Sequence, residues 1–328
     1  MASKLSSMID AGITAQQSGK LVDALACYQS ALELAPEDAE ALSLSGLALT
    51  QLNRLEEAEP LLRNAVAHEP DQIGFRMNLA ELLRHKGLLE DAKKEVMWIV
   101  SRKPGFSPGW ERLGDIAILQ EDKLKAKEHY QKAFSAVAEN FHIGLKLAEL
   151  HIGLEEFDQA LNALKGIAKQ NPDNPALFNF ACVALVAKQD WRQLESVSLD
   201  WARSSPNDPL AWQMLSTAYM EQGRNRLAEE HFRNVLANRS ENARDLSIYG
   251  QICLQCFEYD KAKDAFNRAE VLAPERPDVL VSLSLLHTFF GEFGQAEEYC
   301  RRALQLDPGF VPAYTQLGHL IQGQFSDA

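Results

Sequence analysis

Cysteine is scarce in this chain. Five residues among 328, an odd number, argue against the disulfide framework of a secreted domain. No segment reaches the roughly 18 uncharged apolar residues of a membrane helix, and residues 1–10 lack the apolar stretch of a secretory signal. No membrane insertion is expected, and the expected compartment is cytoplasmic. Positive charge is also short: 33 Lys and Arg face 46 Asp and Glu, a net charge of −13. That balance opposes binding to nucleic acid, whose phosphates need clustered cations. Lys123, Lys125, Lys127 and Lys132 form a moderately basic stretch, but acids interleave it, as on a solvated face.

Signatures of chemistry are missing as well. There is no P-loop, no G-x-G-x-x-G and no H-E-x-x-H. The eight histidines are scattered, and His151 and His287 fall where a core imidazole is expected. Cys253 and Cys256 make a C-x-x-C with no second Cys or His pair nearby to complete four zinc ligands. A structural role is expected for Cys253, with a redox pair as the alternative. No cofactor, metal or catalytic residue is expected, and this chain alone is read as not an enzyme.

What the sequence does contain is a beat. Pro36, Pro70, Pro104, Pro172, Pro206, Pro274 and Pro308 are separated by 34 residues or multiples of 34, and the same step lands on Ala138 and Ser240 in the gaps. Numbering the repeats from residues 5, 39, 73, 107, 141, 175, 209, 243 and 277, position 8 is always small: Gly12, Gly46, Ala80, Gly114, Ala148, Cys182, Ser216, Gly250 and Ser284. Position 24 is often aromatic, as at Tyr28, Tyr130, Phe232 and Phe266. Position 20 is alanine except at Leu194. Apolar residues within each repeat keep helical spacing around a polar turn, which predicts two helices per repeat. A small residue lets two helices approach, and a facing aromatic fills the gap. Proline just beyond the second helix stops it.

These residues resemble the tetratricopeptide repeat, with Trp110, Leu113 and Gly114, and Trp212, Leu215, Tyr219, Ala228 and Phe232, matching especially well. The resemblance implies an all-α, right-handed superhelical solenoid of antiparallel helix pairs. One solenoid domain over residues 1–328 is expected, with repeats at 5–38, 39–72, 73–106, 107–140, 141–174, 175–208, 209–242, 243–276 and 277–310, capped by a helix over 311–322. In that last helix Tyr314, Leu317 and Ile321 are expected to face the ninth repeat, with Thr315, Gln316, His319 and Gln322 toward water. The sixth repeat departs from the pattern, with Leu194, Ser198 and Trp201 in place of the usual alanine, aromatic and alanine. Added and lost volume there look compensatory.

The family also implies a protein or peptide partner in a concave groove lined by the first helix of each repeat, with self-association open. Placing core residues at positions 4, 7, 8 and 11 leaves positions 2, 5, 6, 9 and 13 on the opposite face. The third to fifth repeats present Asn78, Glu81, Arg112, Asp115, Lys146 and Glu149 there, a mixed-charge stretch. The sixth to eighth present Asn179, Phe180, Val183, Gln213, Met214, Thr217, Ser247 and Gln251, where amides and hydroxyls alternate with apolar groups. Such alternation suits an extended peptide. Two modes of the family are disfavoured. The cations of a carboxylate clamp are missing, and only Asn78 could belong to an asparagine ladder. The expected function is a protein-interaction scaffold. The alternative is the N-terminal recruitment module of a larger bacterial enzyme of sulfotransferase or glycosyltransferase type.

Overall fold

Small residues at position 8 do what their size predicts. In the computed structural model, a Cβ added at Gly12 would lie 2.4 Å from Tyr28, one at Gly114 2.3 Å from Tyr130 and one at Gly250 2.5 Å from Phe266. At Gly46 the facing group is Leu62, 2.5 Å away. Where position 8 grows, position 24 shrinks: Ala80 goes with Val96, and Ser284 with Cys300, whose Sγ lies 3.1 Å from the serine Oγ. In these pairs a larger group on one helix goes with a smaller one on the other, although Ser216 keeps Phe232 opposite it.

The structure describes residues 2–137, 140–169 and 171–326; Ala138 lies outside them. Nineteen helices and no strand occur among the described residues. Two compact bodies divide the chain, residues 1–170 and 171–328. The first holds five antiparallel pairs: Ala2–Gln17 with Leu21–Leu34, Ala39–Gln51 with Leu55–His68, Ile73–His85 with Leu89–Arg102, Ser107–Leu119 with Lys123–Ala136, and Phe141–Gly153 with Phe157–Ala168. The second holds Pro175–Lys188 with Trp191–Ser204, Pro209–Glu221 with Asn225–Asn238, Ala243–Gln255 with Tyr259–Leu272, and Pro277–Phe289 with Phe293–Leu306, followed by Val311–Ser326.

Local chemistry sets these ends. Position 34 carries Asp38, Asn140, Asn174, Asp208 and Asn242, and each side chain caps the helix that follows. Every first helix stops at a shared motif in which position 15 is left-handed and the next amide bonds a carbonyl five residues back. Examples are Arg54 N–H to Leu49 O and Glu258 N–H to Cys253 O. Position 4 adds a tie to the preceding turn. Trp110 and Trp212 donate their indole N–H groups to the carbonyls of Pro104 and Pro206 at 2.7 Å, and Arg76 does the same to Pro70 at 2.8 Å.

The core is wider than positions 4, 7, 8 and 11. Position 10 is buried from Ala48 through Leu82, Ile116, Leu150, Ala184, Ala218 and Ile252 to Leu286, and position 3 at Ala41, Ile143, Leu177, Ala211 and Val279. A first helix is covered both by its own second helix and by neighbouring repeats, so its apolar stripe broadens. The same effect corrects the reading of the last helix. Ala313, Gln316 and Leu320 are its buried residues, while Tyr314 and Ile321 are exposed. Gln316 is tolerated inside because its amide donates to Thr288 Oγ1 at 3.0 Å. Leu317 does pack against Cys300 and Leu320.

In the sixth repeat Leu194, Ser198 and Trp201 are all buried. The Ser198 hydroxyl donates to Leu194 O at 2.6 Å, and Trp201 stacks on Phe178 with centroids 6.0 Å apart. The large indole thus fills space that an aromatic at position 24 occupies elsewhere.

Trp110 stacks on His129 at 5.8 Å and Trp212 on His231 at 5.6 Å, the same two positions in the fourth and seventh repeats. Burial lowers both imidazole pKa values below the ordinary 6.5. The unfolded chain therefore takes up these protons first, and stability declines as pH falls through 6.5. Histidine ring-proton titration by NMR should give midpoints below 6.5 for both residues, and a midpoint at or above that value would contradict the packed geometry.

Candidate functional site

The face left open by the first helices differs between the two bodies. In the first body it is a ladder of ion pairs. Position 6 of one repeat reaches back to position 5 or 9 of the one before. Asn78 donates to Ser43 Oγ at 2.9 Å, Arg112 lies 2.7 Å from Glu81, and Lys146 lies 2.8 Å from Glu111 and 2.7 Å from Asp115. Further groups join it. Arg84 approaches Glu81 at 2.7 Å, Tyr130 donates its hydroxyl to Asp115 at 2.8 Å, and His142 sits 3.2 Å from Glu111.

Three carboxylates, Glu81, Glu111 and Asp115, thus face three cations, Arg84, Arg112 and Lys146, and the ladder is neutral within itself. Burial pulls the Glu81 pKa upward, but the Arg84 hydrogen bond and the charges of Arg112, Arg84 and His85 outweigh it and hold the carboxyl below the usual range. Burial works against the charge on Lys146 as well, yet bonds to Asp115 and Glu111 raise its pKa. Glu149 is exposed and makes no ion pair with a described residue. It borders a cleft of about 370 Å³ with Ile118, Lys123, Tyr130 and Lys146.

Of the residues read from the sequence, Asn78, Glu81, Arg112, Asp115 and Lys146 are brought together, and Glu149 stands at their edge. Arg84, Tyr130 and His142 were not anticipated. His142 occupies position 2, so its place on this face was readable from the spacing. Arg84, at position 12, gave no such signal.

The second body presents a different surface. Asn179 and Val183 are exposed, Phe180, Gln213, Met214 and Thr217 are half-buried, and Ser247 is buried. Neither the Asn179 nor the Gln213 side-chain amide bonds another described residue. Gln251 donates to Ser282 Oγ at 3.1 Å, and Thr217 donates to Gln213 O at 3.0 Å. The Ser247 hydroxyl is enclosed without a partner among the described residues. This face therefore combines unpaired amides with partly exposed apolar groups.

The C-x-x-C lies deeper. Burial pushes the Cys253 thiol up to about 12, so thiolate is scarce at neutral pH and the residue acts as a small core group. Glu229, Cys253 and Glu258 bring ligand-type atoms within 4.8 Å of one another. Arg233 at 2.7 Å, Lys261 at 3.3 Å and the Tyr249 hydroxyl at 2.8 Å already engage Glu229, so a metal ion there would compete with two cations. Among the described residues no helix is long and apolar enough to cross a membrane.

Comparison with known proteins agrees with this construction. Family models described as tetratricopeptide repeat match residues 9–67, 214–256 and 257–309, and, for a second such model, 49–110 and 117–181. Among curated relatives, the human protein O-mannosyl-transferase TMTC3 is 25% identical over 323 residues, 88% of this chain and 34% of that protein. The type IV pilus assembly protein PilF of Pseudomonas aeruginosa is 31% identical over 104 residues, 31% of this chain and 41% of that protein. The chain thus spans about a third of the length of the transferase it matches over most of itself. Among solved structures, a thermophilic tetratricopeptide protein of Thermus thermophilus is 24% identical with a TM-score of 0.47, covering 56% of this chain and 99% of that one. Nine helix pairs on one 34-residue beat, and family models matching most of their length, lead to one assignment: the chain belongs to the tetratricopeptide repeat family.

Proposed function

We propose that this chain is a protein-interaction scaffold that holds an extended or helical segment of a partner against its first-helix face. The carrying observation is the contrast between the two bodies. In the first, the carboxylates and cations of the ladder are already paired with one another, Glu149 at its edge excepted, and a partner gains mainly by replacing existing bonds. In the second, the Asn179 and Gln213 amides are free to bond a peptide backbone, and Phe180, Val183 and Met214 offer apolar contacts between them. Recognition on a helix-built surface needs little ordering on binding, which favours affinity.

A second reading is favoured by one fact. The match to the human transferase covers 88% of this chain but only 34% of that enzyme. In this reading the repeats recruit substrate or partners for a catalytic domain of sulfotransferase or glycosyltransferase type that lies outside this sequence.

The test is a pull-down from source lysate with wild type and Phe180→Asp, with bound proteins identified by mass spectrometry. We expect a partner that is lost with Phe180→Asp while the melting temperature stays within about 2 °C of wild type, since a half-exposed site tolerates the change. Equal recovery by both proteins overturns the assignment to this stretch and moves the contact to Arg112 and Lys146. Recovery of nothing by either favours the recruitment module.

A further inference from the structure

Position 15 of every repeat lies in the left-handed region, with φ between 59° and 75°. Gly19, Gly87, Gly223 and Gly291 fill it in four repeats, and Asn53, Glu121, Glu155 and Gln189 in four more. The remaining residue is Phe257, with φ at 62° and a side chain 74% exposed. A bulky residue is strained in this region, and an exposed ring gains no burial in return. Neither the backbone nor the core of this molecule benefits from a phenylalanine there.

Phe257 belongs to a cluster of rings at the turns of the eighth and ninth repeats. Tyr259 is the hub. Phe257 meets it edge-on at 6.5 Å, and Phe289 and Phe290 each lie 6.1 Å from it. The last three are 37%, 51% and 49% exposed in the order Tyr259, Phe289, Phe290, so all four rings face solvent together. At positions 13 and 14, where Phe289 and Phe290 stand, other repeats carry such pairs as Gln17 and Ser18, His85 and Lys86, or Glu221 and Gln222. The patch is peculiar to this end of the chain.

Acids border it. Glu258 and Asp260 flank Tyr259, and Glu292 follows Phe290 by two residues. Glu258 pairs with Lys261 and Glu292 with His287, each at 2.5 Å, while Asp260 pairs with no described residue. Beyond Phe257, a cleft of about 520 Å³ contains Arg224, which Glu195 neutralises at 2.8 Å, and Arg226, which has no ion pair with a described residue. A cationic group is therefore favoured over Tyr259, Phe289 and Phe290, and disfavoured on the Arg226 side.

We propose that this aromatic edge is a second docking site, at the inter-helix turns of the eighth and ninth repeats, for a partner segment carrying arginine or lysine among aliphatic residues. Aliphatic side chains cover the rings, the cation lies over their electron-rich faces beside Asp260, and the net charge of −13 draws a basic segment in.

The test is fluorescence anisotropy with a short labelled peptide of alternating leucine and arginine. One control peptide carries glutamate for arginine, and another serine for leucine. The leucine–arginine probe should bind wild type about tenfold more tightly than either control. Phe257→Gly should weaken it about tenfold with a melting temperature at or above wild type, because glycine relaxes position 15. Tyr259→Ser should give the same loss, and Phe180→Asp should leave binding unchanged. Wild-type affinity in Phe257→Gly overturns the proposal, because attraction by net charge alone survives that substitution. So does failure of the leucine–arginine probe to bind. A wild-type dimer in sedimentation equilibrium that Phe257→Gly dissolves also overturns it, since the rings then meet a second copy of the chain.

Discussion

Replacing Gly114 by alanine should destabilise the protein by about 2 kcal/mol, although alanine is the better helix former. The new Cβ would sit 2.3–2.9 Å from three atoms of the Tyr130 ring. That ring is 4% exposed and its hydroxyl is tied to Asp115, so moving it aside breaks that bond. Tyr130→Val alone should cost about 2–3 kcal/mol through the cavity and the lost hydrogen bond. The two together reproduce the Ala80 and Val96 combination of the third repeat. The double variant should therefore be more stable than the sum of the singles implies, by about 1 kcal/mol or more. Urea unfolding of the four proteins measures this. Simple additivity would show that positions 8 and 24 do not share one volume.

The same pair explains why much of the fold was legible. Size complementarity between positions 8 and 24 is written in residue identity in repeats such as the first, fourth and eighth, and proline marks the end of the second helix without reference to the rest of the molecule. The turn at position 15 was less legible, because Asn53, Glu121, Glu155, Gln189 and Phe257 accept a conformation that glycine would have advertised. The outward face was legible as a set of positions and not as a set of accessible groups. At position 5 the long side chains of Glu111 and Gln213 remain partly exposed, whereas Ser43 and Ser247 are buried. Short side chains sink beneath their neighbours, as Ser43 does under the Asn78 amide. Pairings across repeats were not readable either. Arg112 with Glu81 and Lys146 with Asp115 join residues 31 apart, and that offset depends on how successive helices stack. Gln316 reads as a solvent residue by type, yet one hydrogen bond to Thr288 lets the last helix turn it inward.

Those pairings make Lys146 the residue whose removal should disturb the first-helix face most. Its ammonium is the direct partner of both Glu111 and Asp115, and it lies 5.6 Å from the centre of the Tyr130 ring. Lys146→Met keeps the length of the side chain and removes the charge, leaving two carboxylates close together. Buried pairs broken in this way cost more, but these groups remain in reach of water, and a loss of about 1–2 kcal/mol at pH 7 is expected. The pH dependence distinguishes charge from packing. In the wild type the Lys146 pKa is raised, so its contribution is complete below the unfolded value and disappears only as pH rises through the folded one. The lowered pKa of Glu81 acts from the other side: its contribution is present above the unfolded value and is lost as pH falls through the folded one. The ladder therefore stabilises the protein across the neutral range. The gap between Lys146→Met and wild type should therefore narrow as pH rises through the folded Lys146 pKa, where the wild type loses the same charge. A gap of constant size would mean that Lys146 matters for the packing of its stem on Tyr130 and not for its charge.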